Sequence, residues 1–499
     1  MAYLLGYDIG SSSIKASLIN AESGHLIATA TSPEKELQIH APQPGWAEQE
    51  PEEWWNHVKL STAKILSQAS LDIGKIEAIG LSYQMHGLVL VNKNHQPIRP
   101  AIIWCDSRAV DIGRQAFSEI GKEYCLTTLL NSPGNFTASK LKWVMKHEPE
   151  IYKNIHKAIL PGDFIAMKMT GNINTTPSGL SEGILWDFQN NQLSDIVLDY
   201  YAISREIMPE TVPTFSVQGL LTSVAAKELG LKKGTKISYR AGDQPNNAYS
   251  LQVLHPGEAA TTAGTSGVIY GVIDQPTYDP ESRVNTFVHV NHDSTNPRYG
   301  VLLCVNGCGI LYSWLKNKIL STGPEIIQYR QMDTLAAQSP PGSAGLFIFP
   351  FGNGAERTLG NQNIGATIQK LNFNMHEQSN LLRAAQEGII FALNYGFDIM
   401  KGMGLQISTI KAGKTNQFSS SLFREIFSSV TGTQLELFET DGSQGAARGA
   451  GVGARIYPAL EDSFVGLKAE SIIYPDKKLQ EIYQDIYPQW ISLLKNNLQ

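Results

Sequence analysis

Residues 241–267 read AGDQPNNAYSLQVLHPGEAATTAGTSG. They set one carboxylate, Asp243, in a Gly-Asp-Gln-Pro-Asn-Asn segment dense with turn residues, and a little over one turn of helical sequence follows. The chain then enters a β-rich run centred on a small-residue loop, Gly264-Thr265-Ser266-Gly267. A lone carboxylate near a loop of amides and hydroxyls suits deprotonation of an alcohol while phosphate is gripped. The expectation is a kinase for a small hydroxylated substrate with Asp243 as base. Two ordinary turns would read the same way, so the rest of the chain must separate the two.

The most telling match lies near the start. Residues 3–9 (YLLGYDI) and 14–19 (IKASLI) read as strands joined by Gly10-Ser11-Ser12-Ser13, and HLIATAT reads as a third. This is an opening β-meander with Asp8 at the end of its first strand and Lys15 in the second. The turn carries three hydroxyls and free amides that suit phosphate oxygens, and taken alone a Ser-rich hairpin accounts for it as well or better. Asp8 stands where a divalent cation bridging phosphates needs a carboxylate, directly or through water. No GxxxxGK[ST] is present, so this is not a Walker loop. The run from Gly10 to Ile19 (GSSSIKASLI) lines up with Gly264 to Ile273 (GTSGVIYGVI). Two similar loops, one per half, point to a duplicated domain with nucleotide between the copies.

At 499 residues two or more domains are expected. Hydrophobic residues make up 42% and charged residues 17%, as in a well-packed soluble enzyme. A net charge of -6 without a long basic run disfavours nucleic acid. No apolar run approaches the roughly 18 residues that would cross a bilayer, and no secretory leader pattern opens the chain. A cytoplasmic, membrane-free setting is expected. Of the four cysteines, Cys304 and Cys308 are close in sequence but lack a second ligand pair, and read as buried thiols.

Further along, Gly45-Trp46-Ala47-Glu48-Gln49-Glu50-Pro51 runs into a helix with Trp55, Val58, Ile65, Leu66 and Ala69 on one face. Strand IEAIGLS ends in Tyr83-Gln84-Met85-His86-Gly87, a place from which His86 can reach into a cleft. Strand AIIW ends in Trp104-Cys105-Asp106-Ser107-Arg108. That set suits sugar contact, ring face against C–H surface and polar groups to hydroxyls, and suits equally an ion pair beside a core tryptophan. Asp163 is a candidate helix N-cap and Gly171 a candidate stop. Strand ISTIKA precedes Gly413-Lys414-Thr415-Asn416. Asp441-Gly442-Ser443-Gln444-Gly445 starts a helix whose small residues permit close approach of a base or a backbone.

Taken together, these stretches resemble the FGGY carbohydrate kinases, and within them the xylulokinases, collinearly over nearly the whole chain. The resemblance rests on Asp8–Ser13 with Lys15, Gly45–Pro51, Gln84–Gly87 and Trp104–Arg108. It continues through Lys140-Leu141-Lys142-Trp143, Gly242-Asp243, Gly264–Ser266, Glu356-Arg357 and Gly445-Ala446-Ala447. It implies an α/β fold of two actin-like, ribonuclease-H-like domains, residues 1–248 and 249–499, with an ATP and sugar cleft between them. By the same resemblance Asp243 is the catalytic base, and Asp8 orders Mg²⁺ through water. Met85, His86, Trp104 and Asp106 meet the sugar, D-xylulose. Gly10, Ser11, Ser12, Ser13, Lys15, Gly264, Thr265, Ser266, Gly413 and Asn416 hold ATP. A homodimer is suggested by the resemblance alone. Three stretches depart from the family pattern: Lys411–Asn416 on the adenine side, Lys370 and Gln386 where glycine and an apolar residue are expected, and Gln244-Pro245-Asn246 after the base. A sibling ketose or polyol kinase, or an actin-like ATP-driven binding protein, would share much of this pattern.

Overall fold

The computed structural model describes residues 2–68, 72–321 and 327–498. The opening meander forms as expected: β1 (Tyr3–Ile9), β2 (Ile14–Asn20) and β3 (Leu26–Ser32) are successive antiparallel neighbours. Helix α1 (Pro51–Gln68) buries Trp54, Trp55, Val58 and Ile65. Ala69, expected on the same face, lies outside the described residues. Next come β4 (Ile76–Tyr83), α2 (Thr137–His147), α3 (Pro161–Thr170), β5 (Phe215–Leu220) and β6 (Lys236–Gly242). β4 runs parallel to β1 and β6 parallel to β4, and β5 closes the edge antiparallel, giving the order β5-β6-β4-β1-β2-β3.

The second half repeats this plan. After α4 (Asp243–Ser250), the strands β7 (Glu258–Ala263), β8 (Gly267–Ile273), β9 (Asn285–Val288) and β10 (Tyr299–Val305) follow. Then come α5 (Gln378–Gly402), β11 (Thr409–Gly413), α6 (Ser421–Thr431), β12 (Gln434–Phe438), α7 (Gly442–Gly453), β13 (Ala469–Ile473) and α8 (Lys477–Leu498). The order is β9-β10-β8-β7-β11-β12-β13, with β7, β8 and β10 an antiparallel meander and β7, β11 and β12 parallel. The sequence echo therefore has a topological basis. Gly10–Ser13 and Gly264–Ser266 are the same turn, first strand to second, in two sheets of like design.

Two local expectations are revised. The Gly-Asp-Gln-Pro-Asn-Asn segment is no turn: α4 starts at Asp243 itself. Pro245 falls in its first turn, where an amide needs no intrahelical partner. Asp163 is not the N-cap of α3, which begins at Pro161. Its Oδ2 instead accepts from the Leu160 amide at 3.1 Å, while its Oδ1 pairs with Arg240 at 2.9 Å. Gly171 does end α3, with φ 76°.

Strand alternation explains how the halves join. Leu5, Tyr7 and Ile9 of β1 point into a core with Trp54 and Phe164, so Leu4, Gly6 and Asp8 point to the other face. That face is covered by α7, from the far end of the chain, whose Ala446, Ala447 and Ala450 pack with Leu4 and Ala78. A β-carbon on Gly6 would lie 2.0 Å from the Ser443 carbonyl oxygen, and one on Gly80 1.9 Å from that of Ala446. Of the two partners expected for this small-residue helix, a neighbouring backbone is the one it meets. The expected division at residues 248 and 249 falls within α4, which also packs on α7. Among the described residues, no helix is long and apolar enough to cross a membrane.

Candidate active site

Asp8 is the last residue of β1 on the α7 face, so its carboxylate arrives at the start of α7. A β-carbon on Gly442 would sit 2.6 Å from Asp8 Oδ2, and Ser82 Oγ donates to Asp8 Oδ1 at 2.8 Å. Asp441 caps α7, accepting from the Gln444 amide at 3.0 Å and pairing with Lys15 Nζ at 2.7 Å. Asp243 stands at the start of α4, partly exposed, and Asn246 one turn on ties α4 to α7 by donating to the Gly442 carbonyl at 2.9 Å. Burial, reinforced by the negative charge of Asp8, pushes the Asp243 carboxyl up to about 7. Burial, reinforced by Asp441 and opposed by Ser82 and Lys15, raises that of Asp8 as well. Three acidic groups thus converge where the two halves meet, with one lysine among them.

The first small-residue turn borders this cluster. The Gly10 amide donates to the Ser13 carbonyl at 3.0 Å, and Ser11 and Ser13 are partly exposed while Ser12 is exposed. Gln49 Nε2 holds the turn by donating to the Ser11 carbonyl at 2.7 Å, which gives the Gly45–Pro51 motif a structural purpose. Trp104, 47% exposed, donates from its indole to Ser11 Oγ at 3.2 Å and so lies beside the same turn.

Asp106 lies elsewhere. It is fully buried and binds the Ala47 amide and the Arg108 guanidinium, the latter at 2.7 Å. Arg108 stacks at 3.9 Å over Trp46 and pairs with Glu48 at 2.8 Å. Of the two readings of Trp104–Arg108, Asp106 and Arg108 take the ion-pair role, while Trp104 lies exposed beside the Gly10–Ser13 turn.

Met85 and His86 follow β4. His86 has φ 62°, a left-handed conformation costly for a side-chain-bearing residue. Lys140, fully buried in α2, pins that turn by donating to the His86 carbonyl at 2.8 Å and the Ile103 carbonyl at 3.0 Å. The imidazole Nδ1 lies 2.9 Å from the Glu182 carbonyl, and Phe136 and Phe287 pack on the ring. Burial lowers its pKa to about 3, so His86 is a neutral hydrogen-bonding group.

On the other side of the joint, Gly264 and Thr265 line a cavity of about 1020 Å³ together with Tyr312, Asp333, Asn416 and Arg424. A β-carbon on Gly264 would lie 3.5 Å from Asn416 Nδ2, so the two loops expected to hold nucleotide do meet. Gly413 ends β11 outside that lining, and Ser266 turns toward Cys304.

Family comparison matches the geometry half by half. The N-terminal domain of the FGGY family of carbohydrate kinases matches residues 3–249 and its C-terminal domain residues 259–454. The chain belongs to that family. This FGGY kinase is 29% identical to the xylulose kinase of Escherichia coli (strain K12) over 489 residues, 96% of each chain. In fold it is similar to the xylulose kinase of Rhodospirillum rubrum, with TM-score 0.88 at 24% identity over 99% of this chain and 98% of that one. It is similar to the same degree to a gluconate kinase from Lactobacillus acidophilus, with TM-score 0.89 at 21% identity over 100% and 98%. The fold alone does not choose the acceptor.

The departures of this FGGY kinase from the family pattern have physical accounts. Lys370 holds φ 59°, the conformation for which glycine is the easier choice, and lays its ammonium 5.4 Å from the Phe347 ring. Gln386 is buried and donates to Tyr312 Oη at 3.0 Å and Asp333 Oδ1 at 2.8 Å, bracing two residues that line the cavity beside Gly264. Lys411 is spent on the Gln252 carbonyl at 2.8 Å and Glu258 at 3.1 Å.

Sequence reasoning passed over Glu182, Arg357 and Asp441 as individual groups. Glu182 is 1% exposed, and among the described residues neither carboxylate oxygen has a hydrogen-bond partner. The Tyr83 hydroxyl lies beside it without a well-formed bond, and burial with the nearby Asp243 holds the carboxyl well above the usual range. Asp441 had a local signal, an N-cap residue before a small-residue helix. Nothing local marks Glu182.

Proposed function

We propose that this FGGY kinase transfers the γ-phosphoryl group of ATP to a hydroxyl of D-xylulose, giving D-xylulose 5-phosphate, with Asp243 as general base. One observation carries the reading. Asp243 is a partly exposed carboxylate at the junction of the halves, with its pKa moved to about 7, near the value a base needs at neutral pH. It would take the proton from the attacking hydroxyl as that oxygen approaches phosphorus. Residues 1–248 would present the sugar between His86, Met85 and Trp104, and residues 249–499 the nucleotide. The paired turns at Gly10–Ser13 and Gly264–Ser266, with Lys15, would face the phosphates.

The residues present fit a magnesium ion held chiefly by phosphates. Among the described residues no group of three or more His, Cys, Asp or Glu forms a cage, and such an ion needs only one or two carboxylates beside substrate phosphates and water. Asp8 would hold it, with Asp243 and Asp441 adding negative charge nearby. Bound there, it would supply charge neutralisation on the transferring group.

The D-xylulose assignment is supported by relatives named xylulose kinase and by the Met85-His86 pair. A coupled ADP-release assay over ketopentoses, aldoses, polyols and glycerol tests it, with D-xylulose expected to be fastest. Asp243→Asn is expected to lose at least about a hundredfold in kcat while calorimetry still detects ATP binding. Retention of a tenth of the rate would remove Asp243 from the base role.

A further inference from the structure

Glu356 and Arg357 are adjacent in the chain and face different ways. Glu356 is fully buried and turned into its own half, where its carboxylate accepts from the Asn306 amide at 3.0 Å and the Gly307 amide at 3.2 Å. Arg357, at the start of a single helical turn, Arg357–Leu359, extends the other way. Its guanidinium lies 5.3 Å from the Phe136 ring, and Nη2 is 3.5 Å from where a β-carbon on Gly134 would be. Both are residues of the N-terminal half. Phe136 in turn packs edge-on against His86, centroids 4.8 Å apart. Arg357 thus crosses the cleft to the His86 side.

Having crossed, it finds no anion among the described residues. Nη1 is buried without a hydrogen-bond partner, and among the described residues no carboxylate forms an ion pair with it. Four other interior arginines, Arg99, Arg108, Arg240 and Arg383, each pair with a carboxylate at 2.9 Å or less, and Arg448 donates instead to the Ser463, Val465 and Gly24 carbonyls. A guanidinium is a rigid fork of donors suited to two neighbouring oxygens of one ligand. Part of Arg357 remains open to solvent, so a ligand in the cleft can reach it.

We propose that Arg357 is the residue with which the C-terminal half reads the acceptor, its fork donating to adjacent hydroxyl or carbonyl oxygens of the sugar from beside His86. The inference rests on the sugar-kinase reading above and adds to it a specificity residue from the nucleotide half. It also links acceptor binding to approach of the halves, because the sugar would be held from both.

The test uses the full-length enzyme and the variants Arg357→Gln and Arg357→Lys, with kcat and both Michaelis constants from ADP release. Arg357→Gln is expected to raise the KM for D-xylulose about 10- to 100-fold, the loss of charge-assisted hydrogen bonds, and to leave the KM for ATP within about twofold. Arg357→Lys keeps charge and packing without the fork and is expected to fall between. Free guanidine should partly restore Arg357→Ala. A rise confined to the KM for ATP, or equal rises in both, overturns the proposal, and so does no change. D-gluconate and glycerol form the second arm. If the wild type prefers D-gluconate and Arg357→Gln loses that preference, D-xylulose is the wrong acceptor and Arg357 is still its reader. If the wild type prefers D-xylulose while Arg357→Gln handles every acceptor like the wild type, the xylulose reading stands and Arg357 has no part in it.

Discussion

Lys15 of β2 and Asp441 at the head of α7 meet at 2.7 Å, joining the second strand of the chain to a helix near its other end. The pair sits beside Asp8, whose carboxyl feels both charges. Its members are 39% and 25% exposed, so solvent screens the attraction and its net worth to stability is at most about 1 kcal/mol. Lys15→Met is therefore expected to melt close to the wild type and, with Lys15 facing phosphate as proposed, to raise the KM for ATP severalfold. A large fall in melting temperature with an unchanged KM would make Lys15 a strut and nothing more.

The proposed role of Asp243 as base sets the acid limb of the rate profile. A base works when deprotonated, so kcat/KM should rise with pH up to about 7 and level off above it. His86, lowered to about 3, stays neutral through that range and does not contribute. Stability should move the other way. The folded carboxyl binds protons between its ordinary 3.8 and about 7 where the unfolded one has released them. The wild type should therefore lose stability relative to Asp243→Asn as pH rises across that window, with the full gap persisting above it. Denaturation midpoints of the two proteins from pH 4 to pH 8, read as a difference, measure this directly. A constant gap would mean that Asp243 is not titrating there.

Glu182 should tolerate amide replacement. Burial, reinforced by the Asp243 charge, raises its carboxyl well above the usual range and favours the uncharged form, and glutamine has the same size and no charge. Urea denaturation of Glu182→Gln is expected within about 1 kcal/mol of the wild type, whereas Glu182→Ala should cost about 2 kcal/mol or more through the cavity. Equal losses in both variants would show an ionised, paired carboxylate.

Gly80→Ala should be among the most damaging single-methyl changes in the protein. The added carbon would meet the backbone oxygen of Ala446 at 1.9 Å, where neither strand nor helix can yield. A loss of about 3 kcal/mol or more is expected, read as a lowered denaturation midpoint. Survival of the variant near wild-type stability would mean that α7 docks on the first sheet more loosely than the packing indicates.

Much of the fold could be read locally. The meander, the strand at residues 76–83 and the helix after Pro51 follow from periodicity and turn residues, because strand and helix patterns repeat within a few residues. The echo of Gly10–Ile19 in Gly264–Ile273 exposed the duplication for the same reason. Misreadings came where one residue type serves two structures. Asn, Asp, Gly and Pro mark turns, and they also start helices, as at Asp243. Of the Trp104–Arg108 set, chemistry alone could not tell that Asp106 is consumed by Arg108 and the Ala47 amide while Trp104 reaches Ser11.

The sequence by itself determined the repeated strand-turn-strand units, the small-residue loops, Asp8 at the end of its strand, and the family. Those features reside in adjacent residues and their periodicity. Only the tertiary structure decided that α7 lies on the first sheet, that Asp8, Asp243 and Asp441 share one electrostatic neighbourhood, that Glu182 is buried without a partner, and that Arg357 crosses to Phe136. These depend on contacts between residues hundreds of positions apart, where burial and proximity set the charge state and the partners of each group, and no local pattern carries that information.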